Sequence, residues 1–208
     1  MSAIQEEKKI PIREAREIVK DLMMPNAFIY WVDFLFHIVL GWCSFYFCYR
    51  SDFFSPVQWV LFFVSILSFY RAVIFIHEIT HLRKGTFRLF RVVWNLLCGF
   101  PLMIPSFLYQ GVHNDHHNVK LYGTRGDGEY FPFVYKGRKK IVLFVLVSFF
   151  APVFFFVRFV LLTPLSYCNK SVRSLVLEKI SSFSIDPNYK RTRSSLNAVD
   201  MWQVQEIA

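Results

Sequence analysis

Five of the six histidines fall into two short clusters, His77-Glu-Ile-Thr-His81 and His113-Asn-Asp-His116-His117. On a helix, residues three and four apart share a face. His77 and His81 therefore converge on one point, and so do His113, His116 and His117. Imidazole is a common ligand for iron and zinc, so two such turns facing one another predict a metal centre. Each cluster alone has a blander reading: His-x-x-x-His recurs by chance in structural roles, and the denser His-x-x-His-His does so less often. Both together, about 30 residues apart in a chain with one other histidine, favour ligation. That sixth residue, His37, lies in an apolar stretch and reads as an interhelical hydrogen-bonder rather than a ligand.

The first cluster also fits His-Glu-x-x-His, which in zinc proteases supplies two ligands and a general base. An intramembrane zinc metalloprotease using His77, Glu78 and His81 is therefore a rival. It needs one further ligand and an open zinc position, and five imidazoles are a surplus for that. Two metals, or one with redox chemistry, suit them better. A non-catalytic membrane fragment with an empty or single-metal site is the third reading. Glu78 and Asp115 are candidates to orient imidazoles through their outer N–H groups. Asp127 and Glu129 could do the same, but their place in a Gly-rich run (Gly123, Gly126, Gly128) favours a turn or solvated loop.

The elements that must position these residues are apolar. Of 208 residues, 54% are hydrophobic and 19% aromatic, with 25 Phe, which excludes a disordered chain. Four widely spaced cysteines exclude a disulfide scaffold and behave as small hydrophobes. The apolar residues come in runs that a water-facing fold could not hide. We expect an all-α, polytopic helical membrane protein with a histidine-rich metal site at the membrane surface. Ala27 to Tyr49 and Val57 to Ile76 are each long enough to cross a hydrocarbon core of roughly 30 Å, and the short Arg50–Pro56 link makes them a hairpin. A third stretch, Ile141 to Leu165, contains Pro152 and Arg158. Val92–Tyr109, broken by Gly99, Pro101 and Pro105, reads as interfacial or buried against other helices. Residues 1–26 are polar and charge-balanced, without a secretory h-region. Ala15, Ile18, Val19, Leu22 and Met23 recur there at helical spacing, predicting a short amphipathic helix on the membrane surface.

Charge sets the expected orientation. The formal net charge is +9. Leu82–Arg91 carries four basic residues and no acid, and Gln110–Lys140 carries six basic residues. By the positive-inside rule both histidine clusters and the N-terminus face the cytoplasm. A third full crossing would then put Lys170, Arg173, Lys179, Lys190, Arg191 and Arg193 outside. A re-entrant pair broken at Pro152 and Arg158 would bring them back, and the sequence leaves both open. Arg71 and Arg158 are expected to snorkel or to pair with an acid or lipid phosphate. Lys136, Arg138, Lys139 and Lys140 form a positive-inside stop that could also dock an acidic electron donor.

The two boxes, their place after a transmembrane hairpin, and the runs Tyr122-Gly-Thr-Arg-Gly-Asp-Gly-Glu-Tyr130 and Arg158-Phe-Val-Leu-Leu-Thr-Pro-Leu-Ser166 resemble the membrane fatty acid desaturase and hydroxylase superfamily, in its bacterial branch. The resemblance covers nearly the whole chain after residue 25. It implies a non-haem di-iron centre on the cytoplasmic side of a bacterial membrane, with His77, His81, His113, His116 and His117 as ligands and no catalytic residue beyond them. It also implies O2-dependent desaturation or hydroxylation of an acyl chain, with electrons from a ferredoxin, rubredoxin or cytochrome b5 type of donor, and no nucleic acid partner. The superfamily has a third His-x-x-His-His box after a further pair of membrane segments. Here no histidine follows His117, and Met201–Ala208 reads as the start of another membrane helix. Residues 1–208 are accordingly expected to be one incomplete desaturase-like domain, truncated or half of a split enzyme, under-ligated for two irons and inactive alone.

Overall fold

The computed structural model describes residues 14, 17–20, 25–82, 85–130, 137–180, 184–186 and 189. The amphipathic helix expected within residues 1–26 falls mostly outside these, and Met201–Ala208 falls wholly outside them. The described residues are helical or irregular, with no strand among them. Three helical stretches are long and apolar enough to cross a membrane: Ala27–Arg50, Pro56–His81 and Ala151–Cys168.

Helix α1 (Ala27–Arg50) begins where the Asn26 side chain accepts from the Phe28 and Ile29 N–H groups. Helix α2 (Pro56–His81) begins at Ser55, whose side chain accepts from Gln58 N–H, with Pro56 in the first turn, where its missing N–H costs nothing. The link between them is short, so they pack antiparallel. Gly41 lets them approach: a Cβ there would lie 2.9 Å from the Phe69 ring, and Ser65 Oγ donates to Gly41 O at 3.1 Å. At 1.5 Å per residue the 24-residue α1 is about 36 Å long. Most large side chains on the outer faces of the pair are exposed, as lipid contact requires.

Helix α3 (Arg88–Trp94) runs on into a π-helical turn (Asn95–Gly99). Its buried side chains join α1 and α2 in the core of Phe34, Ile38, Ala72, Phe75, Ile79, Phe90, Trp94 and Cys98. Phe34, Phe75 and Phe90 meet edge to face with centroids 5.4–6.0 Å apart, a geometry that aligns ring edges with ring faces. Trp94 Nε1 donates to Ala72 O at 2.8 Å, fixing the depth of α3 along α2. Asn95 then starts helix α4 (Ser106–His116): its Oδ1 accepts from Ser106 N–H at 2.9 Å, and its Nδ2 reaches Ser106 Oγ at 3.0 Å. The Val92–Tyr109 stretch is thus divided among α3, the π-helical turn and the start of α4, elements of 7, 5 and 11 residues.

Helix α5 (Gly137–Ser148) is followed by a turn at Phe149 and Phe150 and by helix α6 (Ala151–Phe156). A π-helical segment (Val157–Leu162) joins α6 to helix α7 (Thr163–Cys168). Pro152 sits in the first turn of α6, so it begins a helix rather than reversing one. The reversal comes at Asn169, which caps helix α8 (Lys170–Lys179) by accepting from Ser171 and Val172 N–H. Helix α8 folds back along α7, and Arg158, buried, donates from Nε to Ile180 O at 2.8 Å. Beyond it, Ile185 and Asp186 N–H donate to Gly128 O at 2.7 and 3.1 Å, and the Tyr189 hydroxyl donates to Asp115 at 2.6 Å. The segment after the third apolar stretch therefore rests at the histidine-bearing end of the molecule.

Candidate metal centre

The last turn of α2 and the last two turns of α4 meet end to end. His77, His81, His113 and His117 each offer a ring nitrogen, and these four atoms lie within 4.8 Å of one another. Successive Nε2···Nε2 separations are 3.3 Å (His77–His81), 2.9 Å (His81–His113) and 3.1 Å (His113–His117). Two imidazole nitrogens bound side by side to one metal at about 2.1 Å stand about 3.0–3.4 Å apart, depending on the angle. The observed spacing matches that of ligands to a shared ion. Four neutral nitrogen donors suit iron, zinc, copper or nickel rather than calcium or magnesium.

Carboxylates fix the imidazoles from behind. His113 Nδ1 lies 2.9 Å from Glu129 Oε1 and 3.0 Å from the Tyr109 hydroxyl. A carboxylate acceptor puts the hydrogen on Nδ1 and leaves the Nε2 lone pair facing the cluster. Burial lowers the pKa of His113, and the neighbouring His77 and His117 add to this, against the opposing pull of Glu129. The ring is thereby held in the neutral form that a metal needs. Burial also raises the Tyr109 phenol, with Glu129 adding to the effect.

His116 stands outside the four-nitrogen set. Its Nδ1 is 3.0 Å from both oxygens of Asp127, so its Nε2 is the free donor. Asp127 is fully buried. It also accepts from Gly123 N–H at 2.9 Å and Glu129 N–H at 3.1 Å. Burial pushes its pKa up, but the hydrogen bonds from Gly123, His116 and Glu129 outweigh that and leave it below the ordinary value. The run of Asp127 and Glu129 is a turn, as favoured, but not a solvated one, and the two carboxylates take the other role open to them, as partners of imidazoles. The Gly-rich run folds inward and delivers both carboxylates to imidazoles. Their alternation with glycine was the available signal, since a loop that must turn tightly against a helix needs small residues.

The other candidates are placed as follows. Glu78 Oε2 accepts from the Tyr30 hydroxyl of α1 at 2.8 Å, while Oε1 lies 3.7 Å from His77 Nδ1. Asp115 is held by Tyr189. His37 faces Asp33 of its own helix, with Nε2 3.4 Å from Oδ1; among the described residues its Nδ1 is buried without a partner, and no interhelical bond of His37 is found. Asp33 instead takes the interhelical partner, Arg71, through Nε and Nη2. Cys98, buried, has its thiol pushed up to about 12 by that burial, as an inert core residue should.

A cavity of about 440 Å³ opens beside the centre between α2, α3 and α4, with Thr80, Arg88, Arg91, Leu96, Phe107 and Gln110 in its wall. Thr80 adjoins His81 in sequence, and Gln110 is one helical turn before His113.

A helical membrane protein that presents a four-imidazole centre at the end of a transmembrane hairpin is the class these features define. Residues 53–204 match the fatty acid desaturase family, and the chain belongs to that family. It is 36% identical over 197 residues to the ceramide hydroxylase of Caulobacter vibrioides (strain NA1000 / CB15N), an alignment covering 94% of this chain and 55% of that protein. The chain therefore spans about half the length of this curated relative. No solved structure matches it.

Proposed function

We propose that the chain is the histidine-bearing part of a lipid-modifying oxidoreductase that hydroxylates or desaturates an acyl chain with O2. The observation that carries this reading is the convergence of His77, His81, His113 and His117 within ligand distance, in a chain of the desaturase family. Iron would be the metal, two ions in the complete centre: the four converging imidazoles would hold one, and His116 Nε2 would serve the other. Five imidazoles fall short of two coordination spheres, so full activity requires ligands beyond these two clusters.

Bound iron supplies the activation of O2 and the cleavage of an unactivated C–H bond. The chain's own residues do the rest. Glu129 and Asp127 hold His113 and His116 in the tautomer that exposes Nε2. The aromatic core beneath the centre keeps water from reaching it through the hairpin. The membrane frame brings the acyl chain to the centre in the plane of the bilayer. Electrons come from a ferredoxin, rubredoxin or cytochrome b5 type of protein, and the histidines face the cytoplasm.

Glu78 bears on the protease alternative. Its carboxylate is taken by Tyr30 on α1, which leaves it poorly placed as a general base for a metal-bound water. Metal analysis of the detergent-purified chain separates the readings. Iron is expected; zinc near one equivalent per chain, with peptidase activity, overturns the proposal. Co-expression in a bacterial host with a polypeptide that supplies further histidine ligands should yield lipids that have gained one oxygen or lost two hydrogens. If an iron-loaded chain leaves lipids unchanged even when further histidine ligands are supplied in this way, the activity is not this one.

A further inference from the structure

The cavity between α2, α3 and α4 is mixed in its chemistry. Its wall combines Arg88 and Arg91 with the apolar Leu96, Phe100 and Phe107. No carboxylate lines it, and neither arginine is paired with one among the described residues. Arg91 is the more informative. Its Nη2 donates to Leu82 O at 2.8 Å, which anchors the side chain at the end of α2. Its Nε is buried and has no hydrogen-bond partner among the described residues. The guanidinium is thus only partly satisfied by Leu82 O, and an anion beside it in the cavity would offset its charge.

Arg91 is anchored to Leu82, the residue that ends the membrane-length helix α2. Leu96 lies in the π-helical turn that follows α3, Phe100 ends that turn, and Phe107 lies in the first turn of α4. An anion held at Arg88 and Arg91 would thus have apolar side chains of the same cavity beside its attached chain. The sequence adds charge of the same sign, since the segment Leu82–Arg91 carries four basic residues and no acid.

We propose that this cavity is a binding site for a lipid with a phosphate headgroup, the phosphate held by Arg88 and Arg91 and the acyl chain lying against Leu96, Phe100 and Phe107. The site rests on the reading of the chain as a lipid-modifying membrane enzyme and narrows it to phosphate-bearing lipids next to the metal centre. Its volume, about 440 Å³, falls within the range of small-ligand sites. Guanidinium is suited to the role because its planar fork matches phosphate oxygens.

The test uses the full chain in neutral detergent micelles and measures binding of dioleoylphosphatidic acid by tryptophan fluorescence. Dioleoylglycerol, with the same chains and no phosphate, and inorganic phosphate, with no chains, serve as the two single-component probes. Saturable binding of phosphatidic acid is expected, at least tenfold tighter than either probe. Arg88→Gln should weaken it about tenfold, and Arg88→Gln/Arg91→Gln should abolish it, whereas Arg91→Lys should retain part of it. Equal binding of phosphatidic acid and dioleoylglycerol overturns the proposal. So does unchanged binding in the double variant, or tight binding of phosphate alone. Circular dichroism and thermal unfolding of each variant distinguish loss of the site from loss of the fold. Iron content is read in parallel: iron without phosphate selectivity refutes this site alone, and phosphate selectivity without iron refutes the oxidoreductase reading alone.

Discussion

Asp127, sealed from solvent, holds His116 Nδ1 at 3.0 Å from both of its carboxylate oxygens. The same two oxygens accept the N–H groups of Gly123 and Glu129. Every direction around the carboxylate is therefore occupied by a donor. Asp127→Asn replaces one oxygen with an NH2 group that must face a donor in either flip. The expected result is a loss of about 1–3 kcal/mol in stability and a fall of roughly 10–100-fold in metal affinity at the position served by His116. Chelator competition measures the second effect. His116→Ala should produce the same affinity loss, and the double variant should add little to either, because the two residues act as one unit.

The four converging imidazoles and His116 should separate in metal titrations. His81→Ala and His113→Ala each remove a nitrogen from the centre of the set and should lose iron or cobalt from the first position, as read by equilibrium dialysis. His116→Ala should keep that first equivalent. Equal loss in all three variants would mean that the five histidines form one indivisible site, contrary to the geometry.

The sequence made much of this centre readable, for a specific reason. His77 with His81, and His113 with His117, are local pairs whose meeting is dictated by helical periodicity, so spacing alone identifies them. The hairpin was equally legible, because runs as long as Ala27–Arg50 and Pro56–His81 have few other uses. Asp127 and Glu129 were legible only as two of four candidate carboxylates, because their role depends on how a loop folds back against α4, a contact that no periodicity encodes. The same holds for Asn95, whose amide fixes the start of α4 from eleven residues away. For the third apolar stretch the sequence left a full crossing and a break at Pro152 and Arg158 both open: the helix is interrupted at Phe149 and Phe150, beside Pro152, and the chain reverses only at Asn169. A proline in the first turn of a helix is compatible with its start, so its presence does not locate a reversal.

Within the hairpin, Asp33 and Arg71 form the ion pair that joins α1 to α2 at membrane depth. Removing one member leaves the other unpaired in an apolar surrounding, whereas removing both restores an apolar interface. Asp33→Leu should lower the unfolding midpoint in detergent, by an amount equivalent to about 1–3 kcal/mol. Asp33→Leu/Arg71→Leu should recover most of that loss. A double variant no better than the single would show that the pair contributes direct attraction rather than mutual neutralisation.

The placement of the segment after α8 rests on Gly128 and is open to a single substitution. A Cβ at that position would lie 2.7 Å from Val112 Cγ1 and 3.1 Å from Tyr189 Cγ. Val112 is buried on α4 and has no room to retreat, so the strain falls on the contacts of Gly128 with Ile185, Asp186 and Tyr189. Gly128→Ala should cost about 1–3 kcal/mol by overpacking and should release the segment. Proteolysis between residues 180 and 190 should then quicken, and the Tyr189–Asp115 bond should be lost. Tyr189→Phe removes that bond without the steric conflict and should give a milder form of the same release. Because His113 is the next residue after Val112, Gly128→Ala should also weaken metal binding, while Tyr189→Phe should leave it near the wild-type value. If both variants leave proteolysis unchanged, the segment does not rest on the second histidine cluster, and the return of the chain to that end of the molecule must be made by other contacts.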